Sequence, residues 1–159
     1  MFYKMRRNKQ ETTIEEAEAM LKRATSGVLA VIDQNNDPYA VPLSFAYEKD
    51  TLYFHCATTG HKLDAIRSHE KVSFCVIDTD QIVPEKYTTK YASAIAFGKA
   101  SMVENEEEKR HALRLLAQKY SPNETEEQTE KEIGQSFAHV GILKVQIERL
   151  TGKKAKELC

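Results

Sequence analysis

Hydrophobic and polar positions change period several times along the chain, and each change marks an element. In "TTIEEAEAMLKRATSG", Ile14, Ala17, Met20, Leu21 and Ala24 recur at helical spacing and share one face. Thr12 or Thr13 can cap this helix, with Glu15 or Glu16 three residues on, as a capping box requires. Gly27 stands where a C′ stop belongs. The period then falls to two. "GVLAVID", "YAVPLSFAYE" and "LYFHC" are separated by the turn segments "QNNDP" and "KDT", which predicts an antiparallel meander. Pro42 interrupts the second strand. Proline cannot donate to a ladder, so Pro42 marks an edge, a bulge, or a place where something other than a strand lies alongside.

"HKLDAIRSHE" predicts a short helix with Leu63 and Ile66 facing in, and "KVSFCVID" a fourth strand. Residues 79–89, "TDQIVPEKYTT", have no clear period and read as a loop. "KYASAIAFGKASMVE" is a long fifth strand, with Gly98 at a bulge or bend. "NEEEKRHALRLLAQKYSP" is a second strong helix, opened by Asn105 with glutamates in its first turn, where the helix dipole favours them. Residues 123–134 predict a short exposed helix, and "FAHVGILKVQIERLTGKK" the last strand. Six strands and three or four helices in this order do not alternate as βαβ units, so a Rossmann sheet is disfavoured. The expected fold is mainly β (α+β): a small six-stranded antiparallel barrel with peripheral helices. Residues 1–159 form one domain, with an N-terminal arm at 1–11 and a polar, partly flexible connection at 121–136.

Composition narrows the class. The chain of 159 residues is 41% hydrophobic and 30% charged, the balance of a soluble globular protein. A net charge of −1 gives no global reason to expect nucleic acid or an acidic membrane as partner. The cysteines Cys56, Cys75 and Cys159 are odd in number and widely spaced, without CxxC or Cys/His ligand spacing, which disfavours a metal site and a disulfide framework. A reducing cytoplasm is the expected compartment. "MFYKMRRNKQE" is basic but has no apolar core behind it, so a signal peptide is not expected, and no run is long enough to span a bilayer.

The stretch with most chemistry is "YFHCATTGHK". The first N–H groups of a helix have no internal partner and carry the positive end of its dipole, so a phosphate placed there gathers several bonds at once. Thr58 and Thr59 could add hydroxyls, Gly60 lets the backbone approach closely, and Lys62 adds a charge. Neither GxxxxGK[ST] nor GxGxxG is present, and taken alone the residues favour a capped helix with a surface lysine. In "PYAVPLSF", backbone groups left unpaired around Pro42 would be available to a planar polar ligand; a guarded edge strand is the plainer reading. His55 and Cys56 point to opposite faces of their strand, so a Cys–His nucleophile pair is poorly supported. Arg6 and Arg7, with Lys4 and Lys9, could meet a phosphate or a substrate carboxylate, or pack against a partner subunit.

Together these pieces resemble a family. The double arginine, "GVLAVID", "PYAVPLSFAYE", "LYFHCATTGHKLDAI", "VSFCV", "YASAIAFGKA" and "VQIERLTGK" occur in the order and spacing of the pyridoxamine 5′-phosphate oxidase-like split-barrel flavoproteins, nearest their nitroimidazole-resistance (Nim-type) branch. The resemblance implies a six-stranded split barrel with FMN at a homodimer interface. Carried over by motif, Val41, Pro42, Leu43 and Ser44 would run along the isoalloxazine and ribityl chain. His55, Cys56 and Ala57 would border the flavin, and Gly60, His61 and Lys62 would hold its phosphate. Ser93 would reach the cofactor from the partner's side, and Thr151, Gly152 and Lys153 would lie near the partner's flavin. The implied activity is FMN-dependent reduction of a small-molecule acceptor such as a nitroimidazole, using a reduced donor, with His55 as proton donor or substrate contact. The alternative is a non-enzymatic flavin or haem binder, with His55 or His139 as axial ligand. The strand reads "AVPLSF" without the arginine that leads the flavin motif of true pyridoxamine-phosphate oxidases, and their C-terminal tryptophan-and-arginine motif is missing. Vitamin B6 oxidation is therefore disfavoured.

Overall fold

A computed structural model describes residues 2–158; Met1 and Cys159, the third cysteine, lie outside it. Strands β1 (Gly27–Ile32), β2 (Pro38–Leu43), β3 (Ala46–Glu48), β4 (Thr51–Cys56), β5 (Lys71–Val83), β6 (Thr88–Met102) and β7 (Gly141–Lys154) are joined with helices α1 (Ile14–Arg23), α2 (His61–Ser68), α3 (Glu106–Tyr120) and α4 (Glu126–Ser136). All strand pairs are antiparallel, in the order β2-β1-β5-β6-β7-β4-β3. The architecture is a split barrel with peripheral helices, of seven strands where the sequence predicts six.

The additional strand arises because "YAVPLSFAYE" does not run as one strand. It breaks at Ser44–Phe45, and its halves β2 and β3 lie at opposite ends of the sheet order. The crossover closes the barrel, and Phe45, fully buried, becomes its plug. The Phe45 ring meets Phe74 of β5 edge-on at 4.8 Å, and Phe74 meets Phe54 of β4 at 5.1 Å. Strands β5 and β4 are separated by two others, β6 and β7, in the sheet order, so these contacts require a sheet curled around its apolar face. Inward residues alternate along β1 and β5, and Leu29, Val31, Leu52, Val76, Leu143 and Val145 fill the same core.

Helix α1 begins as expected. Thr13 accepts from the Glu16 N–H at 3.2 Å, and the Glu16 carboxylate accepts from the Thr13 N–H at 2.9 Å. Its C-cap is Ala24, however, and Gly27 opens β1 instead of stopping the helix. A Cβ on Gly27 would collide with the Phe74 ring, so glycine is there for packing. The Gly98 bulge is present, as a register shift between Phe97 and Gly98 in the β6–β7 ladder.

Residues 79–89 are not a loop. Strands β5 and β6 continue through the register Thr79↔Ala92 to Val83↔Thr88, turned by a short 3-10 segment, Pro84–Lys86. The result is a projecting hairpin on which Ile82 is 71% and Tyr87 98% exposed. At the other end of the chain, Phe2 rests against Phe97 at 5.7 Å, and Arg149 Nη1 donates to the Tyr3 carbonyl at 3.0 Å, which lays the N-terminal arm on the sheet. Within 121–136, α4 is capped by Thr125, buries Ile133 and joins α3 through Arg114–Glu130. Among the described residues no helix is long and apolar enough to cross a membrane.

Candidate functional site

Helix α2 starts on Gly60, whose φ of 145° and ψ of 170° suit glycine and strain other residues. Nothing lies within 4 Å of the position a Cβ would take there, so the backbone faces open space. The Gly60 carbonyl accepts the first helical bonds, from the Leu63 and Asp64 N–H groups, both at 3.1 Å. The N–H groups of His61 and Lys62 precede that point and have no intrahelical acceptor. Lys62 makes no ion pair among the described residues. A helix mouth with two free donors and one free ammonium can hold a single phosphate.

The His61 side chain is engaged elsewhere. Its Nε2 lies 3.0 Å from Asp33 Oδ2, and its ring stacks on Tyr39 at 4.3 Å between centroids. Asp33, only 7% exposed, also accepts the Asn35 N–H at 2.8 Å and the Asp37 N–H at 3.0 Å. The His61 bond, followed by these backbone donors, holds the Asp33 carboxyl below its ordinary range. The mouth of α2 is thereby fastened to the β1–β2 turn. Sequence reasoning did not single out Asp33 or Tyr39. "DQNNDP" signals a turn, and a turn aspartate gives no local sign that a histidine 28 residues later will share its carboxylate.

Cys56 faces the core at 8% exposure while His55 points out, as the strand period demands. Burial pushes the Cys56 thiol up, against the pull of the nearby Lys62 ammonium, which disfavours the thiolate that a nucleophile needs. Ala57 is exposed at the start of the turn. His55 and His139 are both exposed, so neither lies in an enclosed cavity.

Strand β2 pairs with β1 alone, so half of its backbone polar groups face away from any strand. Its residues divide by face. Val41 and Leu43 pack on the core, while Pro42, followed by Ser44, is exposed. The edge position explains why the ladder tolerates Pro42.

Ser93 and Lys153 are direct partners across the β6–β7 ladder. They do not converge with the α2 mouth. Cys56 is paired with Gly141 at one end of β7 and Ser93 with Lys153 at the other. The 12 residues from Gly141 to Lys153 span roughly 40 Å along an extended strand. One chain therefore holds the two groups of expected site residues at opposite ends of β7. Val28, Ile32, Ile77 and Ile82 leave apolar surface exposed on β1 and β5, with Ile77 directly beside Ser93 in the β5–β6 ladder.

Residues 13–154 match the family model of pyridoxamine 5′-phosphate oxidase. The chain belongs to this family. Among solved structures it is similar to a proposed 5-nitroimidazole antibiotic resistance protein from Bacteroides thetaiotaomicron, at 27% identity and a TM-score of 0.77, over 89% of this chain and 84% of that chain. It also resembles a conserved hypothetical protein from Mycobacterium tuberculosis, with 16% identity and a TM-score of 0.82 over 98% of this chain and 92% of the other. A third is an FAD-binding protein from Mesorhizobium loti, at 22% identity and a TM-score of 0.69 over 92% of this chain and 97% of its own. At these last two identities the likeness is one of fold. No curated protein matches the chain. Membership in the family agrees with the split barrel, whereas the individual contacts belong to this chain's own residues.

Proposed function

We propose that this protein is a homodimeric FMN-binding flavoprotein that reduces a small molecule, with nitroimidazoles and other nitroaromatics as the acceptor class. The observation that carries the reading is the α2 mouth: Gly60 at φ 145°, open space beside it, and Lys62 free of ion pairs. These residues fit a phosphate monoester. The free edge of β2 from Val41 to Ser44 offers backbone donors and acceptors to a planar ring, with Cys56 and Ala57 as an apolar border. When bound, FMN supplies the capacity to take up hydride and pass electrons on.

The chain's own residues bind, orient and shield. Lys62 and the N–H groups of His61 and Lys62 neutralise the phosphate. Asp33 holds His61, and through it the helix mouth, in place. His55, exposed beside this border, is positioned to donate a proton to a reduced acceptor or to contact it. Ser93 and Lys153 come from the partner, because they lie at the far end of β7 from the mouth in their own chain. The exposed stripe of Val28, Ile32 and Ile77 supports the same association, since a second copy would bury it. Support from outside the chain is the family itself and the similarity to the Bacteroides protein.

The visible spectrum of the purified protein gives the first test, with the bands of oxidised flavin expected. A colourless protein that does not take up FMN rejects the cofactor assignment, and a Soret band replaces it with haem. The activity is tested by anaerobic reduction followed by a nitroimidazole. Reoxidation of the flavin is expected, and a reduced spectrum that stays unchanged rejects the nitroreductase assignment.

A further inference from the structure

The N-terminal arm and the turn after β7 border an open pocket of about 370 Å³ lined by Arg6, Arg7, Asn8, Lys9, Gln10 and Lys156, without a carboxylate in its wall. The chain has 24 acidic and 23 basic residues, so four cations gathered without an acid are not a consequence of composition. None of the four has an ion pair among the described residues. Like charges held together repel, and an arrangement that the fold does not compensate points to a ligand that does.

The pocket is built on fixed parts. Gln10 is 6% exposed, and its Oε1 accepts from the Tyr91 hydroxyl at 3.0 Å. Gln10 is itself one of the residues that line the pocket. The Gln10 N–H bonds to the Arg7 carbonyl at 2.9 Å, the Glu11 N–H to the Asn8 carbonyl at 3.1 Å, and the Thr12 N–H to the Gly152 carbonyl at 2.9 Å. Glu11 bridges to Lys153, whose Nζ lies 5.4 Å from the centre of the Tyr91 ring. The cations thus stand on a hydrogen-bonded turn at the Ser93–Lys153 end of the sheet. Arg6, Arg7, Lys9 and Lys156 all fall outside the 13–154 segment that the family model matches.

We infer that this pocket is an anion subsite that binds the phosphate groups of a nucleotide. Arginine forks suit phosphate oxygens in pairs, and lysines add charge. Four positive charges answer more than one phosphate charge. A water molecule occupies about 30 Å³, so the pocket has room for more than a single ion. A nucleotide with its phosphates here would extend toward Ser93 and Lys153. Only its service as the reduced donor rests on the flavin reading; the subsite itself does not.

Inorganic pyrophosphate titrated calorimetrically into the purified full-length protein at low salt is the test. Saturable binding is expected. It weakens about tenfold in Arg6→Gln/Arg7→Gln and in Lys156→Gln, as loss of charge-assisted bonds requires, and is unchanged in Lys131→Gln on α4. Oxidised nicotinamide adenine dinucleotide phosphate is expected to displace the pyrophosphate. Absence of saturable binding, or equal weakening in Lys131→Gln, overturns the subsite. Pyrophosphate that the dinucleotide fails to displace overturns the nucleotide as occupant. Pyrophosphate binding by a colourless protein would sustain the subsite while the flavin reading fails.

Discussion

Lys62 is the residue on which the phosphate assignment turns. Among the described residues its ammonium makes no ion pair, and it sits in the first turn of a helix whose opening N–H groups have no intrahelical acceptor. In Lys62→Ala, FMN retention is expected to weaken by about 1.5–3 kcal/mol, roughly ten- to a hundredfold in dissociation constant, with the thermal midpoint of the apoprotein unchanged. Fluorescence of released flavin measures the first and calorimetry the second. Lys119 carries a different prediction. Its Nζ donates to the Phe45 carbonyl at 2.9 Å and lies 3.7 Å from the centre of the Phe45 ring, and burial lowers its pKa from 10.5 to about 8. Below about 8 the amine is charged in the folded and unfolded chains alike, and folding bears the whole desolvation penalty. Between about 8 and 10.5 the folded chain releases its proton first, so this group makes stability rise with pH. In urea titrations at pH 7 and 9.5, Lys119→Met is expected to lack the rise that the wild-type chain shows.

At the scale of elements, the Ser44–Phe45 crossover and the β5–β6 hairpin are what the hydrophobic pattern failed to give. "AVPLSFAYE" alternates without a break, so local periodicity reads one strand. The break is imposed from afar: the Tyr120 hydroxyl accepts the Phe45 N–H at 2.9 Å and donates to the Thr25 carbonyl at 2.6 Å, across 75 and 95 residues. Such a latch leaves no trace in a short window. The hairpin failed for the opposite reason. Neither of its faces is buried, so no alternation is written into "TDQIVPEKYTT", and cross-strand pairing keeps it extended. Since Ile82 and Tyr87 lie outside the core, replacing residues 82–89 by Asn-Gly is expected to leave the barrel folded. The thermal midpoint should move by no more than a few degrees, about 1 kcal/mol. The same change should weaken self-association, measured as a larger dimer dissociation constant by sedimentation equilibrium. Helices α1, α2 and α3 were legible because their caps are local: Thr13 with Glu16, Gly60 with its positive φ, and Asn105, which accepts the Glu108 N–H at 2.9 Å.

At the scale of the molecule, the proposed flavin site needs two chains, because its two groups of residues lie at opposite ends of β7. Sedimentation velocity is expected to show a dimer at micromolar concentration, and Ile77→Lys, placed at 68% exposure on β5, to shift it toward monomer without loss of helix or strand signal in circular dichroism. A monomeric wild type would separate Ser93 and Lys153 from any flavin held at Gly60.

By itself the sequence determined the antiparallel barrel class, the capped helices, the opposed faces of His55 and Cys56, and the glycine-led helix mouth. Each of these depends on residues within a few positions of one another, where period, capping and backbone sterics act directly. Only the tertiary structure decided that β2 and β3 occupy opposite ends of the sheet order, that His61 serves Asp33, that Gly27 is required by Phe74, and that Ser93 and Lys153 stand far from the mouth. Those facts come from contacts between residues tens of positions apart. Such contacts are selected by the closure of the sheet around one core, and no local pattern along the chain encodes them.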